Sequence, residues 1–270
     1  MMYYLLIALI AICALYLFAL RGRTGHKGLQ ALQGWKYAHR GLHGNGVPEN
    51  SMEAFRLALE NGYGIELDVH LMADGNLAVI HDFSLMRTAG ADVKIEDLVT
   101  EQLQDYYLEG TRDRIPEFRQ VLELFAGKAP LIIELKAERN NHAALTEAVC
   151  KMLESYNGAY CLESFDPRCI YWLRKNRPQE IRGQLSENYI GNKSSKLPFI
   201  LKWVITTNIL NLLTRPDFIS YRFSDRKRLG VGICRKLWKI QGVTWTLKDP
   251  QEYKDAVAEH WLPIFENFKP

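Results

Sequence analysis

The feature that most constrains this fold is the alternation of short β-rich runs with amphipathic helical patterns, which begins at Gly34 and continues to the C-terminus. Strands that alternate with helices predict parallel pairing, because each helix returns the chain across the face of the sheet. Eight such units in about 235 residues favour closure into a barrel over an open, doubly wound sheet, which is the alternative. The predicted strands cover residues 35–39, 64–70, 131–136, 160–164, 181–184, 218–221, 243–246 and 262–265.

The sequence therefore predicts an α/β fold, a (β/α)8 barrel of the TIM type, over residues 34–270.

Two segments are longer than a plain barrel needs. Residues 83–114 follow the second strand, carry charged helical patterns around 94–107, and predict a small inserted lobe. Residues 197–213 are apolar with a single lysine, and they suit either a core helix or a lip that touches lipid. The predicted helices cover residues 51–61, 115–125, 143–155, 167–175, 224–239 and 250–259.

The N-terminal segment, residues 1–20, contains no charged side chain. About 20 helical residues span roughly 30 Å, which is the thickness of the hydrocarbon core of a bilayer. These residues are predicted to form a transmembrane anchor, followed by a linker over residues 21–33. A cleaved signal peptide and a buried core helix are the alternatives. The first usually has positive charge before the apolar run and the second a polar stripe, and this run has neither.

Charge predicts how the chain is oriented and what it binds. Arg21, Arg23 and Lys27 follow the apolar run, and the positive side of a membrane span usually faces the cytoplasm. We expect a single-pass membrane protein whose large domain is cytoplasmic and contacts membrane lipid. Five cysteines without a C-x-x-C spacing agree with a reducing compartment. A net charge of only +3, without a long basic block, predicts no nucleic-acid partner.

Carboxylates lie where predicted parallel strands end. Glu66 and Asp68 are two residues apart on the second strand, and Glu134 and Lys136 are two apart on the third. Residues two apart face the same side of a strand, so these side chains are expected to project together into the mouth of the barrel. Three converging carboxylates offer hard oxygen ligands that suit Mg²⁺ or Ca²⁺. Their mutual repulsion without a cation favours a metal site over a solvated strand edge.

Two histidines are predicted to flank the same site. His39 ends the first strand and His81 follows the second, and a pair of imidazoles can act as general acid and base near neutral pH. Arg40 can bind a phosphate through two parallel hydrogen bonds, and Lys136 adds a point charge. A histidine taken alone is more often a core residue. That interpretation applies to His43, His70, His142 and His260.

Residues 38–90 read AHRG-x6-PENS-x3-F-x8-G-x-ELDVH-x3-DG-x4-IHD-x2-L-x-RTAG, and this run closely resembles the glycerophosphodiester phosphodiesterase family. Further likeness appears in IIELKA at 132–137, SFD at 164–166 and VTWTLKD at 243–249. Three places depart from the family pattern, and the mildest is Ser51, where threonine is commoner. Lys248 stands where asparagine is usual, and the last strand lacks the usual aspartate near its end.

The resemblance implies a TIM-type barrel with an inserted lobe, and hydrolysis of a glycerophosphodiester to glycerol 3-phosphate and an alcohol. It implies that His39 and His81 are the catalytic acid/base pair and that a divalent cation is the cofactor. It implies that the metal ligands are Glu66, Asp68 and Glu134. The positions that it assigns to the substrate are Arg40, Lys136, Glu49 and Trp245.

An anchor would place the site at a lipid surface, which adds lysophospholipids to the expected substrates. Cleavage of the lysophospholipase D type, which releases the headgroup, is therefore an alternative function. A lyase or transferase use of the same site is another, in which a cyclic phosphate is released. A catalytically silent membrane scaffold is the alternative of a different class. The complete set of ionisable residues argues against the scaffold, because a silent barrel has no physical need to bury them.

Overall fold

The computed structural model describes residues 1–193 and 195–270, and within them eight parallel strands close into a barrel. The strands are β1 (Tyr37–His39), β2 (Gly64–Leu71), β3 (Leu77–Val79), β4 (Leu131–Leu135), β5 (Tyr160–Ser164), β6 (Arg182–Ser186), β7 (Phe218–Arg222), β8 (Gln241–Leu247) and β9 (Trp261–Phe265). Strand β1 pairs with both β2 and β9, which closes the ring. Strand β3 pairs antiparallel with β2 and stands outside the ring. The predicted TIM-type barrel is confirmed.

Helices connect the strands on the outside of the barrel. They are α1 (Met2–Ala19), α2 (Met52–Glu60), α3 (Met86–Ala89), α4 (Phe118–Phe125), α5 (His142–Leu153), α6 (Pro167–Asn176), α7 (Phe199–Thr206), α8 (Asn211–Thr214), α9 (Leu229–Gly232) and α10 (Pro250–Ala258). Several begin at a side-chain cap that satisfies a free backbone N–H group. The Ser51 hydroxyl accepts a hydrogen bond from the backbone amide of Ala54. The carboxylate of Asp249, which directly precedes Pro250, accepts one from the backbone amide of Gln251.

The predicted continuous helix over residues 224–239 is wrong. The chain there forms a 3-10 turn (Phe223–Asp225), then α9, then a short π-helix (Ile233–Leu237). Gly230 and Gly232 weaken a helix because glycine loses the most backbone freedom on folding. A Cβ atom at Gly230 would also lie only 2.8 Å from the carbonyl oxygen of Thr207, so a tight tertiary contact selects the local geometry.

The barrel has an apolar interior near the amino ends of its strands. The buried residues that form it are Tyr37, Ile132, Cys161, Phe218, Val243, Leu262 and Ile264. A 3-10 helix at Lys27–Leu32 covers this end, and Leu32 packs against the same cluster. A second, larger apolar layer lies between the outer faces of the strands and the helices, and Leu67, Ile133 and Phe118 belong to it. Such double burial explains why these strands read as nearly continuous apolar runs.

The segment after β2 forms a lobe with an apolar cluster of its own. The cluster consists of Met72, Ala78, Ile80, Leu85, Ile95, Leu98, Leu103, Leu108 and Ile115. Around it the chain makes β3, α3 and three 3-10 turns, at Ile95–Asp97, Thr100–Asp105 and Leu108–Gly110. The helical stretches that the charge pattern predicts around 94–107 are thus 3-10 helices of three and six residues. The lobe carries His81 to the edge of the barrel mouth, directly after β3.

Helix α1 is 18 residues long and apolar, and within residues 2–19 Ala19 alone is buried. Its length and composition suit either a membrane span or a signal sequence. From Leu20 onward the chain packs on the barrel. Leu20 is fully buried, and the guanidinium of Arg23 forms an ion pair with Asp217, 2.5 Å from Nε to Oδ1.

Replacement of Gly183 tests the packing inside the barrel. A methyl group at Gly183 on β6 would overlap the ring of Phe218 on β7, so Gly183→Ala should lower the free energy of unfolding by about 1–3 kcal/mol. Denaturant unfolding of the full chain in detergent, followed by tryptophan fluorescence, measures the change. Gly232→Ala is the control, because its methyl group would meet no described atom within 4 Å. Equal losses in both variants would contradict the overlap.

Candidate active site

The inner face of the barrel changes from apolar to polar towards the carboxyl ends of the strands. Ile132 and Phe218 belong to the interior apolar cluster, and two residues later on the same strands come Glu134 and Ser220. Residues two apart on a strand share a face, so the later residues line the barrel mouth. The mouth residues found in this way are His39, Glu134, Glu163, Ser220, Trp245 and Glu266.

Three carboxylates meet on the β2 and β4 side of this mouth. Glu66, Asp68 and Glu134 each offer an oxygen, and these oxygens all lie within 4.8 Å of one another. Parallel pairing causes the convergence, since Asp68 stands directly opposite Glu134 in the register of β2 and β4. All three side chains are buried. The structure therefore brings together the three residues that the sequence predicts as metal ligands.

The three carboxylates repel one another, and the pKa values of Glu66, Asp68 and Glu134 reflect this repulsion and their burial. Burial raises the pKa of Glu66, and the nearby charges of Asp68 and Glu134 raise it further. Burial also raises the pKa of Glu134, to about 7, although Lys136 opposes the shift. Burial would raise the pKa of Asp68 as well, but the charges of Lys136, His81 and Arg40 lower it overall. A divalent cation bound between these carboxylate oxygens would reduce their repulsion, and such oxygens are the ligands that Mg²⁺ and Ca²⁺ prefer.

Positively charged and amide groups surround the Asp68 carboxylate, but they do not provide hydrogen bonds to both of its oxygen atoms. The Lys136 ammonium lies 3.0 Å from Glu134 Oε1 and 3.5 Å from Asp68 Oδ1, and Arg40 Nε lies 3.5 Å from Asp68 Oδ2. The Asn50 amide donates a hydrogen bond of 2.9 Å to the same Oδ2 atom. Among the described residues, Asp68 Oδ1 is buried without a hydrogen-bond donor. The donor set therefore fits a cation held by Glu66, Asp68 and Glu134.

His39 lies between two carboxylates. Its Nε2 atom is 3.9 Å from Glu66 Oε2, and its Nδ1 atom is 3.7 Å from Glu266 Oε1. Burial lowers the pKa of His39 and outweighs the Glu266 carboxylate, which would raise it. Burial would raise the pKa of Glu266, but His39, His43 and Lys248 lower it overall. His43 Nε2 and Lys248 Nζ lie 3.2 Å and 2.7 Å from this carboxylate.

The second histidine, His81, stands in a chain of ion pairs that joins the lobe to the barrel. His81 Nδ1 lies 2.6 Å from Asp82 Oδ1. Arg87 joins Asp82 to Glu49, because its Nε atom lies 2.5 Å from Asp82 Oδ2 and its Nη2 atom lies 2.5 Å from Glu49 Oε1. Glu49 in turn accepts a hydrogen bond of 2.9 Å from Arg40 Nη1. Burial lowers the pKa of His81, although the charge of Asp68 opposes the shift. Burial thus favours the neutral imidazole, and the charge of Asp68 links this histidine electrostatically to the carboxylate cluster.

An aromatic and charged wall stands on the β6 to β8 side of the mouth. Trp245 packs edge-to-face on Phe165, with 5.6 Å between ring centroids, and the Arg222 guanidinium lies 5.4 Å from the centre of the Trp245 ring. Arg222 also forms an ion pair with Glu187. Within the described part of the chain, the buried Trp245 Nε1 atom has no hydrogen-bond partner. An indole N–H group without a partner on the inner face of β8 can donate to a ligand oxygen.

Sequence reasoning missed several residues of this site. The mouth contains two further carboxylates, Glu163 and Glu266, and the Arg222–Glu187 ion pair. A simple signal was available for Glu163 and Glu266, because each lies two residues after an interior apolar residue of its strand. No such strand pattern predicts the ion pairs of Arg87, because they join the lobe to the loop before α2.

Comparisons with known proteins agree with one another. The profile of the "Glycerophosphoryl diester phosphodiesterase family" matches residues 39–211, which is more than half of the chain. A glycerophosphodiester phosphodiesterase of Bacillus altitudinis is 40% identical over 129 residues, which are 44% of this chain and 52% of that protein. A human lysophospholipase D is 33% identical over 133 residues, 44% of this chain and 41% of that protein. The chain thus spans about half the length of these relatives.

A solved structure extends the likeness to nearly the whole chain. The phosphodiesterase of Oleispira antarctica, solved with the product sn-glycerol-3-phosphate, superposes with a TM-score of 0.72. The superposition covers 90% of this chain and 95% of that one, at 18% sequence identity. At this identity the likeness shows the fold alone.

Proposed function

Because this chain belongs to the glycerophosphodiester phosphodiesterase family, we propose that it hydrolyses glycerophosphodiesters to glycerol 3-phosphate and an alcohol. The observation that carries the proposal is the set of three buried carboxylates at the barrel mouth, with His39 beside it and His81 electrostatically linked to it. The matched region, residues 39–211, contains these residues. A silent scaffold would gain nothing from this set, because burying unbalanced carboxylates destabilises a fold.

The phosphate of the substrate would be held by positive groups of the mouth. Arg40 has a left-handed backbone conformation, with φ of 54°, and its guanidinium extends along the carboxylate cluster to Glu49. A fork of N–H donors can bind two phosphate oxygens at once, and Lys136 adds a point charge from β4. We place Trp245 at the opposite wall, where its ring and its free Nε1–H group suit the glycerol part of the substrate.

Proton transfer is assigned to His39 and His81. Burial lowers both pKa values, which favours the neutral imidazole that can accept a proton from an attacking hydroxyl. The other imidazole takes up a proton from solvent beforehand and donates it to the leaving alcohol oxygen, and the proton taken from the attacking hydroxyl returns to solvent afterwards. Glu266 lies 3.7 Å from Nδ1 of His39 and orients that ring, which makes it a positioning residue.

Glu66, Asp68 and Glu134 are proposed to hold the divalent cation, Mg²⁺ or Ca²⁺. When bound, such an ion supplies electrostatic stabilisation of the charge that develops on the phosphate oxygens. The second group of possible ligands, His39, His43 and Glu266, suits a cation less well. Its carboxylate already has the Lys248 ammonium at 2.7 Å, so it carries no uncompensated charge.

A second candidate function is cleavage of lysophospholipids with release of the headgroup. The likeness to a human lysophospholipase D and the apolar helix α1 favour it. The bond that breaks is the same phosphodiester bond, so the same residues would serve. We propose α1 as a single membrane anchor, with the barrel in the cytoplasm because of Arg21, Arg23 and Lys27. Protease digestion of the barrel from outside intact cells would contradict this orientation.

Metal binding is expected to stabilise the folded chain. Millimolar Mg²⁺ or Ca²⁺ should raise the midpoint of thermal unfolding of the wild-type chain, because an ion that binds only the folded state shifts the folding equilibrium. Asp68→Asn should weaken the apparent affinity by more than about tenfold, so that the rise disappears at the same concentration. Differential scanning fluorimetry with a chelator as reference measures both effects.

Glu266→Gln is the matched control for this experiment, since it neutralises a carboxylate of the other possible ligand group. It should leave the metal-dependent rise intact. If the metal-dependent rise in the unfolding midpoint survived in Asp68→Asn and disappeared in Glu266→Gln, the metal would be assigned to His39, His43 and Glu266 instead.

Replacing either histidine of the proposed pair should slow turnover. His39→Ala and His81→Ala are each expected to lower kcat by at least about 10², because each removes a proton-transfer group. Release of glycerol 3-phosphate from glycerophosphocholine, with metal supplied, measures the rate. His260→Ala, on an exposed residue between α10 and β9, should stay within about twofold of the wild type. Near-normal rates in both site variants would refute the assignment.

A further inference from the structure

The C-terminal end of α1 packs against α8, which precedes β7, and three contacts give its direction along the barrel. The Tyr16 hydroxyl donates to the Thr207 carbonyl (3.4 Å), the Asn211 amide donates to the Leu20 carbonyl (3.2 Å), and the Arg23 amide donates to the Pro216 carbonyl (2.9 Å). The partners at 207, 211 and 216 lie progressively closer to the start of β7. Helix α1 therefore runs towards the amino ends of the strands, and its earlier residues lie towards the barrel mouth.

The level of Tyr16 is fixed by two further contacts. The Tyr221 hydroxyl, near the carboxyl end of β7, donates to the Thr206 carbonyl (2.9 Å), which adjoins the partner of Tyr16. Gly230, in the helix that follows β7, is so close that a Cβ atom would lie 3.3 Å from the Tyr16 hydroxyl. The Tyr16 hydroxyl thus lies towards the carboxyl end of β7, whereas the Leu17 carbonyl accepts from Trp238 Nε1, just before β8. The residues before it in α1 continue on that side, towards and beyond the mouth.

Exposed apolar side chains flank the place where α1 leaves the barrel. Phe199, Ile200 and Trp203 of α7 are 69%, 76% and 40% exposed, and Leu229 at the start of α9 is 74% exposed. Helix α7 follows β6 and α9 follows β7, so both lie on the mouth side. We name these four residues the mouth-side apolar surface. Large apolar groups grouped in this way mark a contact with a partner or a membrane.

The charges around this surface suit anionic lipid headgroups. Residues 189–216 contain no aspartate or glutamate, and they include Lys193 and Lys196 just before α7. Lys227 lies just before Leu229 and is exposed. Basic side chains around an apolar face are the composition of segments that lie in a membrane interface. The unpacked part of α1 emerges beside this surface, so a bilayer that holds α1 lies on the same side.

We propose that the mouth-side apolar surface inserts into the bilayer that α1 spans, so that the active-site mouth faces the lipid headgroups. The site would then take its diester from a lipid embedded in that bilayer. The substrate part of this inference rests on the proposed phosphodiesterase function, whereas the membrane contact does not. Helix α1 and the surface together fix the barrel at two places, which prevents the mouth from turning away from the membrane.

Labelling by lipids tests the contact. The full chain is reconstituted in vesicles of phosphatidylcholine and phosphatidylglycerol whose acyl chains carry a photoreactive diazirine, and labelled peptides are mapped by mass spectrometry. We expect labels in α1, at residues 199–203 and at Leu229. Val257 is the internal control, because it is 47% exposed but precedes β9 at the opposite end. It should remain unlabelled.

Labels confined to α1, labels missing from α1, or equal labels at the control position would overturn the contact. So would protein–protein crosslinks at 199–203 in place of lipid adducts, which would indicate a second copy as the occupant. A variant with Phe199→Ser, Ile200→Ser and Leu229→Ser should reduce labelling of this surface about tenfold, because membrane contact scales with the apolar area inserted. The matched variant with Val257→Ser should label like the wild type.

Turnover separates this inference from the proposed function. The triple variant should hydrolyse glycerophosphocholine within about twofold of the wild type, and a lysophospholipid in vesicles about tenfold more slowly. Failure of the wild type to cleave either substrate would overturn the phosphodiesterase proposal and leave the labelling result valid. A wild type that is labelled and cleaves only the soluble diester would overturn the lipid substrate.

Discussion

The repulsion among three buried carboxylates is the constraint on which the rest of the barrel mouth depends. Glu66, Asp68 and Glu134 converge because β2 and β4 pair in parallel with Asp68 opposite Glu134. Among the described residues, Lys136 alone brings an ammonium into the cluster, and the Arg40 guanidinium is shared with Glu49. Surrounding groups thus compensate part of the charge and leave a site that favours a divalent cation.

The same strand geometry explains why the sequence predicts so much of this protein. A residue two positions after another on a strand shares its face, and parallel strands bring their carboxyl ends to one rim. The eight predicted strands and the convergence of Glu66, Asp68 and Glu134 follow from these two rules and are present in the structure. Glu163 and Glu266 obey the same rules, so they were predictable in principle.

Other features depend on contacts between segments far apart in sequence, and local patterns do not encode them. The predicted helix at 224–239 breaks where Gly230 packs against the carbonyl of Thr207. The bridge from Asp82 through Arg87 to Glu49 joins a lobe residue to the loop before α2, and no periodicity relates the two. Tertiary packing overrides propensity in the first case, and loop placement decides the second.

The orientation of α1 has a consequence for the chemistry of the mouth. A helix that left from the amino ends of the strands would turn the carboxylate cluster away from any bilayer, and only dissolved diesters would reach it. Tyr16 instead meets Thr207 and Gly230 at the carboxyl ends, so α1 and the cluster point to the same side. A lipid headgroup that lies flat in the interface would then need to move only along the membrane normal to reach Arg40 and Lys136. Such a geometry replaces three-dimensional diffusion of the substrate by diffusion within the membrane plane.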